Sequence, residues 1–110
     1  MAYDRELAER IREVLREEDG ITEMSMFGGL GFMVEGNMAV AASGEGGLLL
    51  RVGAADADAL VEEPHADRAS MRGREMRGWL RIEEAGVASG PALRRWVRRG
   101  VTFARTLPPK

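Results

Sequence analysis

The sequence predicts an α+β fold of one domain, residues 1–110. An antiparallel sheet of about five strands is flanked by an N-terminal helix, a short middle helix and a C-terminal helix. Three observations carry that prediction. Apolar residues recur at helical spacing near both termini. The stretch between them is built of short apolar runs separated by glycine-rich turns. A length of 110 residues buries one core and is too short for two independent ones.

Asp4 is placed to cap the first helix, and Leu7, Ala8, Ile11, Val14 and Leu15 fall on one of its faces. Gly20 suits the left-handed position that closes a helix. Residues 21–27 read as the first strand. Gly28, Gly29 and Gly31 follow, and a glycine cluster of this kind can cradle phosphate. The order G-G-x-G, however, lacks the following Lys-Ser/Thr and the dinucleotide spacing. A turn or bulge that needs positive φ or close backbone approach explains the cluster better. Small residues between Met26 and Met38 would let a neighbour pack close, either the region of Trp79 or a second subunit.

Residues 30–34 form the second strand, Glu35-Gly36-Asn37 a turn, and residues 38–42 the third strand. The run LLLRV at 48–52 is apolar enough for a central fourth strand. Residues 54–63 read as the short helix, closed by Pro64, with Asp56 and Asp58 where the helix dipole favours negative charge. Residues 65–70 read as a loop and 79–82 as the fifth strand. Ser89 and Pro91 announce the last helix, whose inner stripe is Leu93, Trp96, Val97, Val101, Ala104 and Leu107.

Composition excludes several function classes. The chain has no cysteine, which removes disulfides, thiolate chemistry and cysteine zinc sites. It has no run of eighteen apolar residues, so no membrane partner is expected, and an acidic N-terminus unlike a signal peptide points to a cytoplasmic location. The net charge of −2 conceals an asymmetry: residues 1–67 hold 5 basic and 15 acidic side chains, and residues 68–110 hold 11 and 3. Such a basic half can serve an anionic partner, or it can lie against the acidic first helix. The second reading is favoured, because a dedicated nucleic-acid domain is usually basic overall and this chain has a pI near 5.5.

Candidate chemistry is sparse. His65 is the only histidine and has no second ligand or orienting partner in view. The serines sit in no nucleophile elbow. Arg72, Arg74 and Arg77 flank Gly73 and Gly78, and their guanidiniums could converge on a phosphate or carboxylate. In the competing and preferred reading Trp79 packs into the core, Met71 and Met76 fill gaps around it, and the arginines face solvent. Arg94, Arg95, Arg98 and Arg99 form a second basic group on the last helix. No catalytic residue, cofactor or metal ligand is assigned.

Met26-Phe27-Gly28-Gly29, Gly31-Phe32, Gly36-Asn37-Met38, the LLLRVG run, Met71-Arg72-Gly73, Met76, Gly78-Trp79 and the final LPPK occur in that order. They resemble the N-terminal domain of the TfoX/Sxy family over almost the whole chain. The resemblance implies an α+β domain with an antiparallel sheet flanked by helices. It also implies kinship with bacterial regulators of natural competence that act with the cyclic-AMP receptor protein at competence promoters. It carries over no catalytic residue and no cofactor. The full-length regulators have a further C-terminal helical domain, and the resemblance covers a stand-alone N-terminal domain. Fifteen arginines against one lysine fit a high-GC bacterial source.

The function expected is a non-enzymatic regulatory or protein-binding module that self-associates, with a protein partner or a second copy as its target. One alternative is a nucleic-acid-binding domain using Arg94, Arg95, Arg98 and Arg99 with the Arg72–Arg77 group. Another is a small-anion-binding protein or enzyme at the glycine and arginine loops.

Overall fold

The computed structural model describes residues 3–26 and 28–110. Phe27, read above as the end of the first strand and as part of the family motif, lies outside the described residues. Asp4 caps α1 (Arg5–Leu15) as expected, its carboxylate accepting from the backbone N–H groups of Glu6 at 2.9 Å and Leu7 at 3.2 Å. The helix ends at Leu15, before Gly20. Gly20 does take a positive φ of 76°, but at the entry to the sheet, where its carbonyl accepts from the Glu35 N–H at 2.8 Å.

The strands are β1 (Ile21–Met26), β2 (Gly29–Val34), β3 (Asn37–Ala42), β4 (Leu48–Arg51), β5 (Ala66–Met71) and β6 (Arg74–Ile82). Helix α2 (Ala54–Leu60) joins β4 to β5, and a 3₁₀ turn (Glu84–Val87) leads from β6 to α3 (Gly90–Ala104). All neighbouring strands are antiparallel in the order β1-β2-β3-β4-β6-β5. The sheet therefore has six strands, one more than the sequence suggested. The extra strand is β5, whose ADRASM sequence buries only Ala69. It lies at the rim of the sheet, where hydrophobic alternation is not needed to hold a strand. Its partner β6 begins at Arg74 rather than at Trp79.

One face of the sheet carries the core. Leu30, Phe32 and Val34 of β2, Val40 of β3, Leu48 and Leu50 of β4, and Leu80 and Ile82 of β6 are buried there against Leu7, Ile11 and Leu15 of α1 and Leu93, Trp96, Val97 and Val101 of α3. Ser89 caps α3 by accepting from the Ala92 N–H at 3.2 Å, with Pro91 in the first turn. Gly100 brings α3 onto β3, since a Cβ there would stand 2.6 Å from the carbonyl oxygen of Ala39. Trp96, not Trp79, is the tryptophan of the core.

Two fragments of the family motif meet at one end of the sheet. Asn37 is 3% exposed, and its side-chain amide donates to the carbonyl of Pro108 at 2.9 Å. The Lys110 N–H donates to the Glu35 carbonyl at 2.9 Å. The LPPK tail is thereby pinned beside the β2–β3 turn, which explains why an asparagine occupies a buried position.

The small residues between Met26 and Met38 do allow close packing, against a nearer neighbour than Trp79. A Cβ on Gly29 would lie 2.5 Å from the carbonyl oxygen of Ala42 and 3.1 Å from the Gly44 nitrogen. A Cβ on Gly31 would meet the Met38 methyl at 2.7 Å. The first obstacle is fixed backbone; the second is the end of a flexible side chain. Gly29→Ala is therefore expected to destabilise the fold by about 1–3 kcal/mol through overpacking. Gly31→Ala should cost clearly less. Urea midpoints at unchanged slope measure both.

Candidate functional site

With Leu30, Phe32 and Val34 turned into the core, strand alternation places Gly29, Gly31 and Met33 on the opposite face. Register then extends that face across the sheet. Met26 stands opposite Gly29, Met24 and Ala41 opposite Gly31, Met38 opposite Met33, Leu49 opposite Ala41, and Arg81 opposite Leu49. No helix covers it: the buried residues of α1, α2 and α3 all belong to the core on the other side.

The β5–β6 hairpin bends back over this bare face. Between the pairs Arg68–Leu80 and Ser70–Glu75, β6 carries residues 76–79 while β5 carries only Ala69. The excess residues include Gly78, at φ 87°, and make β6 turn sharply there. Met71, Arg72, Gly73 and Met76 consequently share a concavity of about 440 Å³ with Met26, Met38, Ala41, Leu49 and the Ser43–Glu45 loop. Six of the seven methionines in the chain, Met24, Met26, Met33, Met38, Met71 and Met76, are on this face or over it.

Arg81 lines the concavity but is fully engaged. Its guanidinium donates to the carbonyls of Glu45 at 2.9 Å and Gly46 at 2.8 Å and to the Ser43 hydroxyl at 3.2 Å. It acts as a strut for the β3–β4 loop. Arg72 and Gly73, at φ 54° and 79°, form the tip of the hairpin, the pattern of a tight two-residue turn. Arg72, Arg74 and Arg77 are exposed, and among the described residues they form no ion pair.

Trp79 is half-buried rather than in the core, paired in the sheet with Arg51, whose guanidinium carbon lies 5.9 Å from the indole centroid and 5.5 Å from the Phe103 ring. Met71 and Met76, expected to fill gaps around a buried Trp79, instead wall the concavity.

The helical arginines sit on the other side of the sheet and do not form one surface. Arg94 and Arg98 line a groove with Glu13, Glu17 and Glu18 of the α1 end. Arg105 holds Glu18 at 2.7 Å and the Asp19 carbonyl at 3.0 Å. Arg99 turns towards Glu63 at 3.0 Å and lies 4.6 Å from the Trp96 ring centroid. Arg95 is exposed. The acidic start and the basic end of the chain thus meet within one molecule. The structure keeps the α3 arginines on the opposite side of the sheet from Arg72 at the hairpin tip.

His65 is exposed in the turn before β5, at φ 69°, its carbonyl accepting from the Glu83 N–H at 3.0 Å. Among the described residues no three His, Asp or Glu side chains gather where they could hold a metal ion. Among the described residues no helix is long and apolar enough to cross a membrane.

The outer rim of β1 is the other open feature. Thr22, Glu23, Met24 and Ser25 are exposed, Met24 by 51%. The Glu35-to-Gly20 bond sets the alternation of the β1–β2 ladder. Even-numbered residues of β1 bond to β2, and Ile21, Glu23 and Ser25 turn their N–H and C=O groups outward. Glu23 faces α1, where Arg12 grips its two oxygens at 2.7 and 2.9 Å.

A family model described as "TfoX N-terminal domain" matches residues 13–104. No curated protein and no solved structure matches the chain.

The hydrogen bond from Arg12 holds the Glu23 carboxyl below its ordinary value of 4.5. A depressed carboxyl contributes stability that is complete above the ordinary value and is lost as the pH falls through the depressed one. Both side chains are more than a third exposed, so the contribution stays under about 1 kcal/mol. Glu23→Gln should accordingly lower the urea midpoint slightly at neutral pH. The gap to the parent chain should narrow as the pH falls below 4.5 and through the depressed value of the Glu23 carboxyl.

Proposed function

The chain belongs to the TfoX N-terminal domain family, and we propose that it is a non-enzymatic regulatory or protein-binding module whose first partner is a second copy of itself. The observation that carries this reading is the rim of β1. An edge strand of six residues presents outward N–H and C=O groups and contains no proline, lysine or bulge to discourage pairing. Its sequence tolerates a two-fold antiparallel partner centred on Met24. That register sets Glu23 beside Ser25 of the other copy, so the carboxylates do not oppose each other. It sets the two Met24 side chains together, covering the one large apolar residue left exposed among the described residues. The opposite edge is less suitable: Arg68 of β5 is tied to Asp58 at 2.9 Å and reaches Glu75 at 3.9 Å.

Self-pairing of this kind joins two sheets into one and leaves both methionine faces on the same side of it. A regulatory domain with two equivalent docking faces suits the role that the resemblance to competence regulators implies.

The test is a proline at an outward position. Ser25→Pro removes an N–H that the β1–β2 ladder does not use. The parent chain is expected to sediment as a concentration-dependent dimer and the variant as a monomer with an unchanged thermal midpoint. A parent chain that stays strictly monomeric at high concentration would refute the self-association.

A further inference from the structure

We propose that the concavity between the β5–β6 hairpin and the bare sheet face binds an acidic amphipathic segment of a partner protein. Apolar side chains of the segment enter the methionine-lined floor, and its carboxylates meet Arg72 and Arg74.

The floor sets the first half of the partner's chemistry. Met26, Met38, Leu49, Met71 and Met76 surround about 440 Å³, within the range of pockets that hold a ligand or a few side chains. Thioether side chains are unbranched and polarisable and adapt to differently shaped apolar groups. Surfaces built of them serve partners that vary in sequence.

The rim sets the second half. Three arginines on one short hairpin are exposed without an ionic partner among the described residues, while six others in the chain are paired. Arg72 lines the concavity, and Arg74 pairs across the hairpin with Met71, which lines it too, so these two charges stand beside an apolar site. That arrangement attracts an anionic partner and selects against a cationic one.

Three other occupants fit less well. A small anion would find one unengaged guanidinium at the concavity, that of Arg72 at the hairpin tip, since Arg81 already donates to Ser43, Glu45 and Gly46 and the Glu45 carboxylate shares the lining. Single-stranded nucleic acid binds by stacking bases on aromatic rings, and no aromatic side chain among the described residues lines the concavity. The acidic α1 of a second copy has its apolar stripe in its own core, so it cannot offer apolar and acidic groups together.

The experiment follows the methionine methyl resonances of the full chain, labelled with ¹³C. The probe is a short fluorescent peptide with leucines on one helical face and glutamates on the other. A lysine counterpart and a single-stranded oligonucleotide are controls. Saturable shifts of the Met26, Met38, Met71 and Met76 methyls are expected with the glutamate peptide. At least tenfold weaker binding is expected for the lysine peptide and for the double variant Arg72→Glu/Arg74→Glu. The altered residues are exposed, and an unchanged thermal midpoint would show that this variant still folds.

Unmoved methyls, equal affinity for the lysine peptide, or displacement of the peptide by the oligonucleotide would each overturn the proposal. Repeating the titration on Ser25→Pro separates this site from β1 self-pairing. The same shifts are expected there, and their loss would place the peptide at the dimer contact and overturn the assignment.

Discussion

The contact on which the rest of the structure depends is the seating of α3 on β3. Gly100 lets the helix backbone approach Ala39 to a distance that any Cβ would forbid. Trp96 and Val97 of the same helix are almost fully enclosed. Aromatic burial of this extent dominates the energetics of a small core. Because α3 lies so low, α1 can pack beside it, and Arg105 reaches across to Glu18. The LPPK tail then runs back under the β2–β3 turn, where Asn37 holds it. A bulkier residue at 100 would lift the helix and loosen all three contacts together.

Covering the sheet from one side has a consequence for the other. A sheet whose strands are apolar at both parities ordinarily needs two layers over it. Here β2 reads GLGFMV and β3 reads NMAVAA, with apolar or small residues facing both ways, yet helices cover one face only. The hairpin bent over at Gly78 is a partial second layer. It shelters the centre of the bare face and leaves a hollow beneath it. Methionine suits this position, being apolar enough to line a hollow and flexible enough to close over it. Gly31 opposite Met24 leaves room for the Met38 side chain to lie flat on the sheet.

Much of this was legible before the structure. The helix caps at Asp4 and Ser89, the stripe on α3 and the four central strands follow from local periodicity and turn chemistry, which depend on near neighbours. β5 was not legible, because an edge strand with solvated side chains obeys no alternation. Trp96 follows from the α3 stripe, but Trp79 does not belong to the core, for a related reason. Size alone nominates Trp79, but parity relative to Leu80 and Ile82 sends it to the helix-free face. The methionine face has a signal within each strand: Met24 and Met26 alternate against Ile21 in β1, and Gly29, Gly31 and Met33 against Leu30, Phe32 and Val34 in β2. The bend of the hairpin had none, since the slip between Ala69 and residues 76–79 arises from pairing across chain segments.

The arginines show how a charge asymmetry divides once the chain is folded. Several of those in the basic half are spent internally, Arg99 on Glu63, Arg105 on Glu18, Arg81 on the β3–β4 loop and Arg68 on Asp58. Arg10, in the acidic half, leaves the acidic side chain one turn before it and binds the carbonyls of Val87 and Ala88 instead, tying α1 to the start of α3. These bonds explain why so basic a segment occurs in a chain with net charge −2: it offsets the acidic half within the same molecule. The hairpin arginines take no part in that offset. Arg72 and, beside Met71, Arg74 lie at the face that no helix covers, on the far side of the sheet from the acidic helix. Their charge is therefore available to something outside the chain, whereas that of Arg99 or Arg105 could be reached only by displacing a partner already in place.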